Sequence, residues 1–342
     1  MDTGTLPTGS RGSGLSSHPH QPGISHTRTH QNVTNSIRGD SNTHVGNVSN
    51  SYNNTTINVG AEIESLRIQK WLSPLEPHRR HQDVRNRRLD GVGEWVLWRN
   101  EFESWRRSQD GSVDSTLLCY GGQGVGKTYI RCMSIFPKPQ TMLTCNEISS
   151  LVIDTLREQA SGQNIAVLYL YCDYQARKDQ SAVNMIGGLL RQVTLGANTI
   201  PGEIKNSFEE ARKRGGQGLR LPDTLKLFVQ VISSIERVCI CVDAVDELLA
   251  HDRSEFLRAL RQIIQDAPNT RLFLTGRSHI RGELKKHLTK GAYVIHIVAD
   301  QGDITRYLSQ KMDEDDDRDP ELMTENLKNE ITKTILEKAS GT

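Results

Sequence analysis

The chain has 342 residues, 35% of them hydrophobic and 24% charged, with 42 Lys and Arg against 41 Asp and Glu. A formal charge of +1 argues against electrostatic capture of nucleic acid or a membrane surface as its main activity. No apolar run is long enough to span a bilayer, and the N-terminus lacks the apolar core of a secretory signal.

Residues 1–60 hold one aromatic, Tyr52, few aliphatics and five of the 11 His. Such a segment cannot bury enough apolar surface to offset its ordering entropy, so this Asn/Ser/His-rich tail reads as disordered in isolation. A competing reading rests on residues 31–60, where eight Asn lie between Asn32 and Asn58 among β-branched residues. Asn ladders stack well in cross-β order and low charge removes repulsion, so these residues could form a self-templating segment. The six Cys follow no zinc or disulfide spacing. Cys119, Cys172, Cys239 and Cys241 fall in predicted core strands, where Cys behaves as a small hydrophobe. A reducing, cytoplasmic compartment is expected, with the sequons at Asn32, Asn47, Asn53 and Asn54 unused.

Residues 61–112 read as a helical lead-in. The apolar run 115–120 then passes directly into Gly121-Gly122-Gln123-Gly124-Val125-Gly126-Lys127-Thr128. A strand followed by Gly-x-x-x-x-Gly-Lys-Thr is a phosphate-binding loop: glycines let backbone N–H groups curl around a phosphate, Lys127 reaches the β/γ oxygens, and the Thr128 hydroxyl ligates Mg²⁺. A helix beginning there points its positive end at the anion. ATP or dATP is the expected nucleotide, though base contacts are not readable and GTP stays open. The second Gly-Gly-Gln-Gly, at Gly215–Gly218, has no strand before it and no Lys-Thr after it, and reads as a turn.

Residues 131–147 fall where the following helix should run, yet they contain Pro137 and Pro139. A helix-interior proline costs about 3 kcal/mol. Residues 148–156 read as a good helix, and joining Ile130 to Ile148 gives an unbroken apolar face. The segment is either foreign to the domain, most simply a translated retained intron, or a tolerated surface loop, since loop length alone costs little.

Further strands are expected at 166–171, 237–243, 271–278 and 293–297, with helices between them. Leu225, Phe228, Ile232 and Ile235 make one apolar face with Asp223 as its cap, and residues 255–264 make another. The alternation implies an α/β domain over 113–300, a parallel sheet covered by helices on both faces. The strand at 237–243 closes on Asp243 and is followed by Ala244-Val245-Asp246-Glu247. Asp243 there suits Mg²⁺ held through water, with Asp246 or Glu247 polarising the attacking water; taken alone, such an acid is as often a helix cap. Arg277, just past the next strand, can reach a γ-phosphate, or is a surface arginine. Asp313, Glu314, Asp315, Asp316 and Asp317 read as a solvated loop between helices, without the spaced ligands and turn glycine of a calcium loop.

In this order, the glycine-rich loop, the Asp243–Glu247 box and Thr275-Gly276-Arg277-Ser278 resemble a NACHT-type signalling NTPase. The fungal nephrocystin-3-like N-terminal class of the STAND group, NLR-like proteins, is the most similar. Trp71-Leu72-Ser73-Pro74, Arg88-Leu89-Asp90-Gly91-Val92-Gly93-Glu94-Trp95, Tyr171-Cys172-Asp173-Tyr174 and Asp303-Ile304-Thr305-Arg306-Tyr307-Leu308 extend the resemblance over residues 65–342. It implies an ASCE-type P-loop fold, with the strands bearing the two boxes expected side by side and the lead-in packed beside the adenine. It further implies a switch: ADP holds the closed state, ATP favours self-assembly, and slow hydrolysis resets it. Lys127 and Thr128 would bind phosphate and metal, Asp243 help hold the metal, Asp246 and Glu247 support hydrolysis, and Arg277 sense the γ-phosphate. The N-terminal tail would reach a downstream effector in innate-immunity or incompatibility-type cell death. Residues 301–342 are the expected start of a helical subdomain, truncated before the family's winged helix and repeats. Two alternatives remain: an independent P-loop enzyme such as a small-molecule kinase, and a non-enzymatic assembly module or defective product acting through an amyloid-like N-terminal segment.

Overall fold

The computed structural model describes residues 62–108, 115–121, 145–196, 199–288, 292–298, 300–316 and 324–340, all within one unit, Asn53–Thr342. The expectations for the tail at 1–60, for Gly122 to Thr128 and for residues 131–144 lie outside the described residues.

Among the described residues, five apolar runs form five strands, β1 Thr116–Gly121, β2 Ile165–Tyr171, β3 Arg237–Asp243, β4 Thr270–Arg277 and β5 Tyr293–Ile297. They make one parallel sheet in the order β2-β3-β4-β1-β5. β1 and β3, expected as neighbours, are therefore separated by β4. The reason is local connectivity: β3 and β4 are joined by a single helix, α8 (Ala250–Asp266), and such a short βαβ unit lays its strands side by side. β1 then takes the other edge of β4.

Side chains alternate across the sheet, so each strand feeds two cores. On one face Leu118, Tyr120, Leu168, Leu170, Ile240, Val242, Leu272 and Leu274 pack with α8, α5 (Ala182–Gly196), α7 (Leu221–Ile232) and α9 (Arg281–Leu288). On the other, Leu117, Cys119, Tyr169, Tyr171, Cys239, Cys241 and Phe273 pack with α2 (Pro77–Arg85), α3 (Asn100–Arg107) and α4 (Cys145–Ala160). Burying a large apolar side chain stabilises by about 1.5–3 kcal/mol, so this double cover is the main cohesive term. Cys119, Cys172, Cys239 and Cys241 are buried. Among the described residues no helix is long and apolar enough to cross a membrane.

Three local expectations are corrected. Asp223 is not the cap of α7. Pro222 opens that helix, since a missing N–H costs nothing in the first turn, and Asp223 instead pairs with Arg220 at 3.0 Å. Ile235 lies beyond the end of α7. The acidic run is not a loop through its first residues: α10 (Gln301–Asp316) continues through Asp313 to Asp316. Met312 anchors that turn in a core shared with α11 (Glu325–Ser340), and Lys328 of α11 reaches Asp313 Oδ1 at 3.3 Å, offsetting the like-charge repulsion. The turn expected at Gly215 is present. It closes α6 (Gly202–Lys213), with Gly215 and Gly216 at positive φ and the Gly216 N–H bonded to Ala211 O at 2.9 Å.

The helix at 62–72, α1, meets α5 through backbone. Gly187 lies so near Leu72 O that a Cβ there would overlap it.

Candidate functional site

Ligands of open parallel α/β sheets bind outside the carboxyl ends of the strands. At that edge Gly121, the first glycine of the loop motif, is the register partner of Arg277 on β4. Val242 of β3 pairs with Leu274, which sets the following residues, Asp243 and Thr275, side by side. The ends of β1, β4 and β3 thus bring together Gly121, Arg277, Thr275 and Asp243.

Asp243 is 1% exposed. Its Oδ1 accepts from Ser149 Oγ of α4 at 2.5 Å and from Thr275 Oγ1 at 2.6 Å. Thr275 Oγ1 in turn accepts from the Ala244 N–H at 2.9 Å. Ala244 is in the left-handed region at φ 53°, a strained conformation costing on the order of 1–3 kcal/mol, and this bond helps hold it. Oδ2 has no hydrogen-bond partner among the described residues. Burial pushes the Asp243 carboxyl up to about 6, against the two hydroxyl bonds, with the charges of Glu247 and Asp246 adding to the rise. A buried carboxylate with one oxygen unsatisfied is costly unless a cation is supplied, so this residue fits a divalent metal.

The next two acids are held differently. Asp246 is clamped to Arg277: Oδ1 accepts from its backbone N–H at 3.1 Å and Oδ2 lies 3.3 Å from its Nε. The glycine between Thr275 and Arg277 makes room, since a Cβ on Gly276 would come 2.9 Å from Ile280 Cδ1 and 3.3 Å from Asp246 Oδ1. Glu247 Oε2 accepts from the Tyr174 N–H at 3.1 Å, so the loop after β2 reaches the same edge. Arg177 stacks over the Tyr174 ring at 4.1 Å.

Of the residues proposed from sequence, Gly121, Asp243, Asp246, Glu247 and Arg277 converge here. Gly122, Gln123, Gly124, Val125, Gly126, Lys127 and Thr128 lie outside the described residues. Ser149 was not singled out, and Thr275 was named only as the first residue of the Thr275–Ser278 motif, with no role of its own. Their signal is a hydroxyl in an otherwise apolar buried run: both residues have no exposed surface.

The lead-in motif binds two further elements. Arg88 pairs with Asp154 of α4 at 2.9 Å and donates to Ser150 Oγ at 2.9 Å. His81 bridges Asp154 Oδ1 at 3.0 Å and Tyr171 OH at 2.8 Å. Burial holds its imidazole below the usual range despite the Asp154 contact. Toward the C-terminus, Asp303 Oδ2 of α10 accepts from the Gly93 N–H at 3.1 Å and Trp95 Nε1 at 3.0 Å, and Arg306 donates to Gly91 O.

The family profile described as nephrocystin 3, N-terminal, matches residues 147–277, from the first turn of α4 to the end of β4. The match opens past the glycine-rich loop and at the last residue of the 131–147 segment. No curated protein sequence matches the chain. Among solved structures, a Walker-type ATPase of Pyrococcus abyssi is 14% identical at a TM-score of 0.37, covering 62% of this chain and 55% of its own. The Drosophila ORC bound to DNA is 15% identical at 0.39, covering 66% and 50%. The Aeropyrum pernix ORC1 protein in complex with DNA is 17% identical at 0.36, covering 72% and 53%. The chain spans about half the length of these chains. What the chain has is a parallel α/β sheet flanked by helices, with a partial match to the nephrocystin 3 N-terminal domain over residues 147–277.

Proposed function

We propose that this chain is a NACHT-like signalling switch that binds ATP or dATP with Mg²⁺ at the carboxyl edge of β1, β4 and β3. The observation that carries the reading is Asp243, a buried carboxylate whose Oδ1 accepts two hydrogen bonds and whose Oδ2 has no hydrogen-bond partner among the described residues, one strand removed from the strand that leads into Gly-Lys-Thr. In this reading Lys127 and the loop amides receive the phosphates, and Thr128 and Asp243 hold the metal, which neutralises phosphate charge. Arg277 faces the γ-phosphate side. Asp246 is already committed to Arg277, so Glu247 is the better candidate to polarise water. Hydrolysis would be slow and serve to reset the switch, with ATP favouring self-association and the N-terminal segment passing the signal to an effector.

One observation favours a second reading, a product impaired in nucleotide binding. The family match begins at Glu147 and leaves the loop outside it, as a foreign 131–147 segment would cause. The two separate by sedimentation velocity of the full chain and of a form lacking 131–147, each with ATP–Mg²⁺ and with ADP–Mg²⁺. A switch shifts to larger species with ATP in both forms. An impaired product shifts only after the deletion, and no shift in either form removes the switch reading.

A further inference from the structure

Ser149 lies one turn into α4 and is fully buried, yet its hydroxyl reaches Asp243, 94 positions away in sequence. Thr275 donates to the same oxygen from β4. Neither hydroxyl touches Oδ2, which is buried and without a partner among the described residues. A carboxylate is free to turn about its Cβ–Cγ bond, and a single donor would leave that rotation loose. Two donors on one oxygen, from a helix and a strand, restrict it and settle which oxygen stays open.

The rest of α4 is braced so that Ser149 keeps its place. Ser150 is bonded by Arg88, and Asp154, one turn further on, is held by Arg88 and His81. The hydroxyl of Thr275 is itself steered, because its oxygen is taken as an acceptor by the Ala244 N–H and its proton is left for Asp243. A serine present only to satisfy a buried acceptor would serve equally on either oxygen. The concentration of both donors on Oδ1 is what points beyond packing.

We propose that Ser149 is a positioning residue: together with Thr275 it occupies Oδ1 and reserves Asp243 Oδ2 for a divalent cation. The proposal rests on the nucleotide-site reading above and adds to it a residue outside the glycine-rich loop. Groups that orient a metal ligand typically change metal affinity by about 10–100-fold when removed.

The test is Mn²⁺ binding to the full chain, followed by electron paramagnetic resonance, with and without ATP. Wild type is compared with Asp243→Asn, Ser149→Ala, Ser149→Thr and Ser149→Cys. Expected are loss of the site in Asp243→Asn, at least a tenfold weakening in Ser149→Ala, and recovery to within about threefold in Ser149→Thr, which keeps the hydroxyl. Metal-free ATP affinity should be the same in the Ser149 variants and wild type. Ser149→Cys keeps the volume with a poor donor, so it should weaken Mn²⁺ as Ala does even if the Ala variant fails to fold. If Asp243→Asn binds Mn²⁺ like wild type, the cation site itself is wrong and the proposal falls with it. If Asp243→Asn loses the site while Ser149→Ala and Ser149→Cys keep wild-type affinity, only the positioning role is overturned.

Discussion

Asp246 holds Arg277 by two bonds, one to its backbone N–H at 3.1 Å and one to its guanidinium at 3.3 Å. The acid closing the β3 turn and the arginine closing β4 are therefore one unit, and the neighbouring Glu247 is bonded elsewhere, to the Tyr174 N–H. Separate consequences follow for the two acids. Asp246→Ala leaves the Arg277 N–H without its acceptor and should cost about 1–3 kcal/mol in stability as well as activity. Glu247→Gln keeps an acceptor for Tyr174 and should reduce ATP turnover at least tenfold with stability nearly unchanged. Turnover and urea unfolding of both variants check this; equal loss of stability in the two would contradict the division of roles.

Asp243 makes metal-free stability depend on pH. Burial raises its carboxyl from 3.8 to about 6, so the folded state keeps this proton longer than the unfolded chain does. Its contribution is therefore present in full below about 4, falls as pH rises toward 6, and is flat above. Asp243→Asn lacks that slope. Urea unfolding in EDTA should show wild type losing about 3 kcal/mol relative to Asp243→Asn between pH 4 and 7.5. Parallel pH profiles would mean the carboxylate is not desolvated.

The five strands were legible because each is a short apolar run bounded by polar residues, and Asp243 and Arg277 were legible because they terminate such runs. Their order was not. Nothing in the residues of β1 and β3 records that β4 separates them; that follows from α8 joining β3 to β4. Asp223 misled because a cap-forming residue beside Pro222 is already inside the first turn. The acidic run misled because Lys328, which offsets Asp313, arrives from another helix. Ser149 carries no motif, Thr275 drew notice only as the residue opening the Thr275–Ser278 motif, and only the sheet register and the docking of α4 bring both hydroxyls to one oxygen.

Gly187 and its neighbour should respond oppositely to the same change. A Cβ at Gly187 meets the Leu72 backbone carbonyl, whereas at Gly188 the nearest atoms lie 3.5 Å away, an ordinary contact. Gly187→Ala should destabilise by about 1–3 kcal/mol by forcing α1 off α5. Gly188→Ala should be neutral or stabilise by up to about 1 kcal/mol through helix propensity. Thermal unfolding of the two variants decides, and equal effects would contradict the close approach.

Asp303 should govern how firmly the α10–α11 pair is held, since it accepts from both Gly93 and Trp95. Asp303→Ala should raise amide exchange across residues 301–316 and 325–337 while leaving β3 and β4 protected. Unchanged exchange there would show that the apolar contacts of α10 and α11 suffice.

The central claim is a Mg²⁺–nucleotide site at the carboxyl edge of β1, β4 and β3, and calorimetric titration of ATP into the full chain tests it most directly. Wild type should bind in Mg²⁺ and lose at least tenfold in affinity in EDTA. Lys127→Ala should bind weakly in both conditions, and Asp243→Asn should bind equally in Mg²⁺ and EDTA. Wild-type affinity in Lys127→Ala, or a Mg²⁺ dependence that survives in Asp243→Asn, would contradict it.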